Sequence, residues 1–229
     1  RVERIQLLAG GSAREIGADP LLAERAAWLS KADLLTDMVG EFPELQGIMG
    51  RYYAQHDGLS DDIAFAIEDH YKPRFAGDEL PRNMAGICVA LADKLETLVG
   101  MFGIGQIPTG DKDPFALRRH ALGVIRMLLE KELPLKLNNM VNIAFAGFPK
   151  GLVGDAHAGV ETFMFERLGG LMREQGYSTN EVEAVLCMNP TQIYLVPKQL
   201  EAVRAFAALP EAAALAAANK RVGNILKKS

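Results

Sequence analysis

One histidine and two aspartates are the residues of this sequence that most resemble a metal-dependent hydrolytic site. His56 and Asp57 form a His-Asp pair, and an imidazole beside a carboxylate can hold a divalent cation that activates water. The pair stands in the segment Gln-His-Asp-Gly, where Asp-Gly is typical of a turn, and the other histidines have no ligand spacing relative to it. We therefore favour a structural turn. A metal-dependent phosphohydrolase that uses His56, Asp57 and Asp93 remains the alternative.

Asp93 is a candidate because it interrupts an apolar helical pattern that runs from Ile87 to Leu98. Its carboxylate could bind a metal, or it could pair with a basic neighbour such as Lys31 or Lys94. A buried carboxylate without a partner destabilises the folded state, so the sequence favours a structural ion pair at this position.

Two basic clusters could contact the phosphates of RNA. Lys112, Arg118 and Arg119 lie close together in the sequence, and the stretch that begins with Lys220 and Arg221 also contains two later lysines and no acidic residue. Each contact between a basic side chain and a phosphate makes binding more sensitive to salt. The alternative is that these charges are solvated or form ion pairs with nearby acids.

The glycine-containing segment 103–112 does not match a nucleotide-binding loop. A phosphate-binding loop needs a lysine directly after its second glycine, whereas Asp111 holds that position here. Pro108 removes a backbone donor, and the third glycine of a dinucleotide-binding loop is missing. We therefore do not predict a nucleotide site in this segment.

Composition excludes several classes of protein. The chain has 229 residues, 49% of them hydrophobic and 24% charged, which suits one large domain or two small ones. The net charge of −4 excludes a uniformly basic nucleic-acid binder but allows local basic patches. The sequence shows no membrane-spanning run, no signal pattern and no CxxC motif, so we expect a cytoplasmic protein. Because it begins with Arg1 instead of methionine, we expect a piece of a longer protein.

The elements that must position these residues are helices. Apolar residues recur at steps of three and four, and alternating strand patterns are nearly absent. Asp19, Asn83 and Asp113 are each predicted to cap the start of a helix. The sequence thus predicts an all-α fold with little or no β structure. A shift in composition suggests two parts, residues 1–135 and 136–229, with an uncertain boundary.

Several segments resemble the bacterial glycyl-tRNA synthetase beta subunit. They are LSKADLLTDMVGEFPELQGIMG at 29–50, YKPRFAGDELP at 71–81, ALADKLETL at 90–98, FGIGQIPTGDKDPFALRR at 102–119 and AAANKRVGNIL at 216–226. The resemblance runs from about residue 4 to the end of the chain and is thin between residues 135 and 200.

The resemblance implies a role in protein synthesis. The family's enzyme, glycine–tRNA ligase, is a cytoplasmic heterotetramer of two alpha and two beta chains. Its class II active site, which uses ATP and Mg, lies on the alpha subunit, and the beta subunit engages tRNA. The resemblance implies that this segment has no catalytic centre, cofactor or metal of its own. Its expected partners are the alpha subunit, tRNA(Gly) and the remaining beta-subunit domains, with no membrane.

The resemblance also implies an HD-like helical domain over residues 1–135, followed by a helical region that leads towards the anticodon-binding domain. Metal-binding HD domains carry His-Asp after a segment similar to Ala26–Leu29, whereas Ser30 and Lys31 stand there in this sequence. A hydroxyl and an ammonium cannot hold a hard divalent cation. The hypothesis is that an ion pair between Lys31 and Asp93 has replaced the former metal centre.

Overall fold

The computed structural model describes the backbone of residues 1–226 and, apart from positions 223 and 224, their side chains. Within that range the secondary structure consists of α-helices, three short 3-10 helices and two isolated β-bridges, with no strand of a sheet. The prediction of an all-α fold is therefore confirmed. The helices are α1 (Val2–Ile16), α2 (Pro20–Leu29), α3 (Asp37–Glu41), α4 (Ile48–His56), α5 (Asp61–Asp69), α6 (Met84–Gly103), α7 (Leu117–Glu130), α8 (Leu137–Ala146), α9 (His157–Glu174), α10 (Thr179–Leu186), α11 (Val196–Ala207) and α12 (Ala212–Leu226). Among the described residues, no helix is both long enough and apolar enough to cross a membrane.

The helix starts follow the local capping signals in two of the three predicted places. The Asp19 side chain accepts hydrogen bonds from two backbone N–H groups in the first turn of α2, and Asn83 accepts one at the start of α6. The third start differs, because α7 begins at Leu117, four residues after Asp113. The Asp113 carboxylate still accepts hydrogen bonds from the N–H groups of Leu117 and Arg118, across an intervening turn in which Ala116 has a φ of 53°.

The helices fall into two compact units. The first contains residues 1–168 and 191–194, and the second contains residues 169–190 and those from 195 onward. Residues 136–168, where the sequence is weakly patterned, thus belong to the first unit. The division of the chain at residue 135 stays a prediction.

Helix α6 is the centre of the first unit. It is contacted by α1, α2, α5, α7 and α8, and nearly all of its side chains are buried, Leu91, Leu95 and Leu98 completely. A helix that is surrounded by other helices must be apolar around its whole circumference, which explains why the pattern from Ile87 to Leu98 is so continuous. Its buried charged residues, Asp93 among them, therefore need partners from the helices packed around them.

The second unit is smaller and packs α10 against α11. Ser178 and Glu181 form a reciprocal capping box at the start of α10. The Arg204 guanidinium of α11 lies 2.7 Å from a Glu181 carboxylate oxygen and also donates to the carbonyl oxygen of Gly176. These polar contacts join the two helices within this unit.

Candidate functional site

Lys31 and Asp93 lie together in the first unit. Lys31 follows the end of α2, Asp93 is in the middle of α6, and the Lys31 Nζ is 3.3 Å from Asp93 Oδ1. The Arg1 guanidinium approaches the same oxygen at 3.1 Å. Because both partners of Asp93 come from elements packed against α6, its buried carboxylate is neutralised from outside its own helix. The sequence hypothesis named this pair, and the structure brings its two residues into contact.

His70 completes this centre, although no pattern in the sequence had pointed to it. The Lys31 Nζ is 2.6 Å from His70 Nε2, and His70 Nδ1 is 2.5 Å from the carbonyl oxygen of Ile67. Burial and the adjacent Lys31 charge lower the pKa of His70 to about 3, so its ring is neutral at pH 7. A neutral ring with its proton on Nδ1 donates to Ile67 and accepts from Lys31. The Lys31 ammonium also lies 4.0 Å above the Tyr71 ring.

The ionisation of the centre follows from its composition. Burial alone raises the pKa of Asp93, but Lys31 and Arg1 outweigh it and hold that pKa well below its usual range. Burial lowers the pKa of Lys31, and Asp93 opposes this effect. The arrangement is an ammonium held between a carboxylate and an imidazole nitrogen, two groups that bind metal ions in other proteins. The ammonium occupies the space between them and can supply no Lewis acid to activate water.

The His56-Asp57 pair lies elsewhere, at the end of α4. Its side chains are 88% and 74% exposed, with 3.4 Å between His56 Nδ1 and Asp57 Oδ1. Asp93 is buried inside α6, so the structure does not bring the three residues of the hydrolase alternative together. Throughout the described part of the chain, no group of three or more His, Cys, Asp or Glu residues is placed to hold a metal ion.

Asp33 is a buried carboxylate that the sequence reasoning missed. Its Oδ2 accepts hydrogen bonds from the backbone N–H groups of Gly47 and Gly50, at 2.6 and 3.1 Å. A Cβ atom at Gly50 would lie 2.7 Å from Ile67 Cγ2 and 3.1 Å from the same oxygen, so the close approach of these groups favours glycine there. The signal in the sequence was the pair of glycines three residues apart, at the start of α4. Asp33 thus fixes the position of α4.

The predicted RNA-binding residues divide between the two units. Lys112 and Arg119 are exposed in the first unit, one in the loop before α7 and the other in its first turn, with no carboxylate within 4.0 Å among residues 1–226. Arg118 differs, because its guanidinium donates a 2.5 Å hydrogen bond to the carbonyl oxygen of Gly110 and so ties the loop to the helix. Lys220 and Arg221 are exposed on α12 of the second unit. Lys227 and Lys228 of the same basic stretch lie outside the described residues.

Comparison with known proteins adds an independent observation. A family model described as "Glycyl-tRNA synthetase beta subunit" matches residues 1–187. A glycine–tRNA ligase beta subunit of Thiobacillus denitrificans is 73% identical to this chain, and those of Polaromonas naphthalenivorans and Paracidovorax citrulli are 66% and 65% identical. Each match covers the whole of this chain but only 33%, 32% and 32% of the respective relative. The chain therefore spans about a third of the length of the curated relatives it matches.

Proposed function

The chain belongs to the glycyl-tRNA synthetase beta subunit family, and we propose that it is the part of a glycine–tRNA ligase that contacts tRNA(Gly) and supports subunit assembly. In this proposal the enzyme attaches glycine to tRNA(Gly) in the cytoplasm. ATP and Mg are used on the alpha subunit of a heterotetramer. This segment supplies binding surface and has no catalytic centre of its own.

The RNA-binding proposal rests on two exposed cations, Lys112 and Arg119, at the loop before α7, which Arg118 holds against the helix. Lys112 and Arg119 are exposed and have no acidic partner in the described range. Arg118 holds the loop through the Gly110 carbonyl, so the position of Lys112 relative to α7 is restrained. Restrained cations lose less conformational freedom when they bind phosphates, and local basic surface is sufficient in a chain of negative net charge.

The ion-pair centre supports the absence of hydrolytic chemistry in this proposal. A metal-dependent phosphohydrolase needs a cation that lowers the pKa of a bound water. In this chain the Lys31 ammonium lies between Asp93 and His70, where such a cation would need to bind. We therefore propose an HD-like helical domain in which a lysine has replaced the metal and the charge cluster serves stability.

Exposed apolar side chains support the proposed role in assembly. They concentrate in the segment from the end of α2 to α4, where Leu35 is 91% exposed and Phe42 and Tyr52 are about half exposed. Apolar surface of this kind marks protein contacts when it forms a contiguous patch. We propose that this segment meets the alpha subunit or the remaining beta-subunit domains.

The test of the RNA proposal is a charge reversal in the intact protein. We expect Arg119→Glu to weaken binding of tRNA(Gly) by about tenfold, which is about 1.4 kcal/mol, and to reduce the slope of log K against log salt by roughly 1. Arg25→Glu is the matched control, because Arg25 is also an exposed helical arginine of the first unit without an acidic partner among residues 1–226. Unchanged affinity and slope for Arg119→Glu would remove this residue from the RNA contacts.

A further inference from the structure

A pocket of about 420 Å³ opens between α6, the first turn of α7 and the two loops around residues 44–46 and 71–74. Its volume falls in the range of about 300 to 1,000 Å³ that is typical of small-molecule sites. Of the residues around the Lys31–Asp93 ion pair, Tyr71 lines this pocket, whereas Lys31, Asp93 and His70 do not. The residues of the hydrolase alternative and the exposed apolar side chains of the proposed assembly surface do not line it either.

Lys94 of α6 forms part of the pocket wall and is only 2% exposed. Its Nζ donates to the carbonyl oxygens of His70 and Tyr71, at 3.4 and 3.3 Å, and no carboxylate of the described chain lies within 4.0 Å of it. Asp93, the adjacent residue, is already paired with Lys31 and Arg1. A buried cation without an acidic partner is costly, and its nearest partners here are two neutral carbonyl groups at long distance.

The packing of α7 keeps this lysine in place. A Cβ atom at Gly123 of α7 would lie 2.8 Å from the Lys94 Cε and 3.1 Å from its Cδ, so the glycine provides the space that the lysine stem fills. The stem is thus confined between α6 and α7. The ammonium cannot leave the pocket for solvent as an exposed lysine does.

Two further cations line the pocket. Arg74 and Arg119 lie at the exposed mouth, and Arg119 has no acidic partner among the described residues, whereas the Arg74 Nε is 3.8 Å from Asp78 Oδ2. Glu44 is the one carboxylate that lines the pocket. Burial and the nearby Lys94 charge lower the pKa of His120, another lining residue, to about 4, as expected in a field of positive charge. Three cations therefore face one carboxylate.

We infer that this pocket binds a small phosphorylated compound, whose phosphate group pairs with the Lys94 ammonium and is held at the mouth by the guanidinium groups of Arg119 and Arg74. A phosphate accepts several hydrogen bonds, and combinations of lysine and arginine are its usual protein partners. Binding would supply the acidic partner that Lys94 lacks.

The depth of the lysine favours a small ligand over an RNA backbone. A helical RNA presents its phosphates along an outer surface, where proteins contact them with exposed side chains. Exposed Arg119 can make such a contact, but Lys94 cannot, because only 2% of it is exposed. The inference is therefore separate from the proposed tRNA contact, with which it shares Arg119.

Calorimetric titration of the intact protein tests the inference with two probes, inorganic phosphate and ribose 5-phosphate, and with ribose as the unphosphorylated control. We expect both phosphate compounds to bind in the millimolar range or tighter and ribose not to bind. Lys94→Met should weaken both phosphate probes at least about tenfold. Lys150→Met, which removes an exposed lysine outside the pocket, should have no effect.

Arg74→Gln at the mouth is a second variant that leaves Lys94 in place, and it should weaken ribose 5-phosphate severalfold. Failure of both phosphate compounds to bind at millimolar concentration would overturn the inference, as would equal binding by the wild-type protein and Lys94→Met. If Lys94→Met instead weakens tRNA binding as much as Arg119→Glu does, the pocket takes a phosphate of RNA and the small-ligand inference is wrong. If Arg119→Glu leaves tRNA binding unchanged while the phosphate compounds bind as expected, the proposed function is contradicted and this inference stands.

Discussion

Lys94→Met should make the first unit more stable at neutral pH, although it removes two hydrogen bonds. Burial lowers the pKa of Lys94 from its usual 10.5 to about 8, against the opposing effect of Asp93, because the ammonium has lost its hydration without gaining an acidic partner. Methionine has a similar length and no charge to desolvate. The variant therefore removes the unfavourable burial of a cation while the apolar stem contacts remain.

The size of the effect follows from the pKa. Each pKa unit corresponds to about 1.4 kcal/mol, so the shift of Lys94 costs roughly 3 kcal/mol of stability at pH 7. The two hydrogen bonds to carbonyl oxygens are 3.3 and 3.4 Å long and return part of this cost, at about 0.5 kcal/mol each for such weak contacts. We expect a net stabilisation of about 2 kcal/mol at pH 7.

The stability that Lys94 contributes depends on pH, because its folded and unfolded pKa values differ. Between pH 8 and 10.5 the unfolded chain keeps the Lys94 proton that the folded chain has released. Because the unfolded state then binds more protons, the stability contributed by this residue rises with pH over that interval. The advantage of Lys94→Met should be full below pH 8 and should disappear by about pH 10.5.

Urea denaturation at pH 7 and pH 10, in buffers without phosphate or sulfate, measures both quantities. The chain has one tryptophan, Trp28, which lies on α2 in the first unit, so its fluorescence reports the unfolding of that unit. Groups that do not interact with Lys94 titrate identically in both proteins and cancel in the difference. A variant that is less stable than the wild-type protein at pH 7, or a difference that does not change with pH, would refute the reasoning.

Two further predictions concern the other charged groups. Asp93→Asn should destabilise the protein by about 3 kcal/mol in urea denaturation, because it leaves the Lys31 ammonium buried without a carboxylate. The double variant with Lys31→Met should lose about 1 to 3 kcal/mol less stability than the sum of the two single changes. Strict additivity would show that the two residues are not coupled. His56→Ala and Asp57→Ala should each change the unfolding free energy by less than about 0.5 kcal/mol, because both side chains are exposed and lie apart from Asp93. Neither variant should change the metal content of the purified protein. Loss of a stoichiometric metal in either variant would support the hydrolase alternative again.

Local signals in the sequence predicted the all-α character and two of the three capped helix starts. The caps at Asp19 and Asn83 act within one turn, so their effect depends on residues that are close in the chain. The start of α7 was placed too early, because the Asp113 carboxylate caps N–H groups four and five residues ahead, across a turn with a positive φ at Ala116. The pattern Asp-Pro is the same in both geometries, so the sequence could not distinguish them.

The partners of charged residues were harder to predict. The residue pattern alone left Lys31 and Lys94 as candidates to pair with Asp93, and the family resemblance then favoured Lys31. Residues adjacent in a helix point about 100° apart, so the Lys94 side chain is directed towards α7, away from the side of α6 on which Asp93 meets its partners. His70 carried no visible signal, because its contacts with Lys31 come from the packing of the segment after α5 against the end of α2.

The amino-acid sequence by itself determined the helical character of the chain, two of its capped helix starts and its family, because helix periodicity, capping and segment resemblance are all properties of neighbouring residues. Only the tertiary structure decided which charges meet. It placed Lys31 between Asp93 and His70, and it left the Lys94 ammonium without a carboxylate at the wall of a pocket. It also left Arg119 exposed, whereas Arg118 donates a hydrogen bond to the loop before α7. The physical reason is that a buried charge is stabilised or destabilised by groups within a few ångströms, and these groups come from helices far apart in the chain.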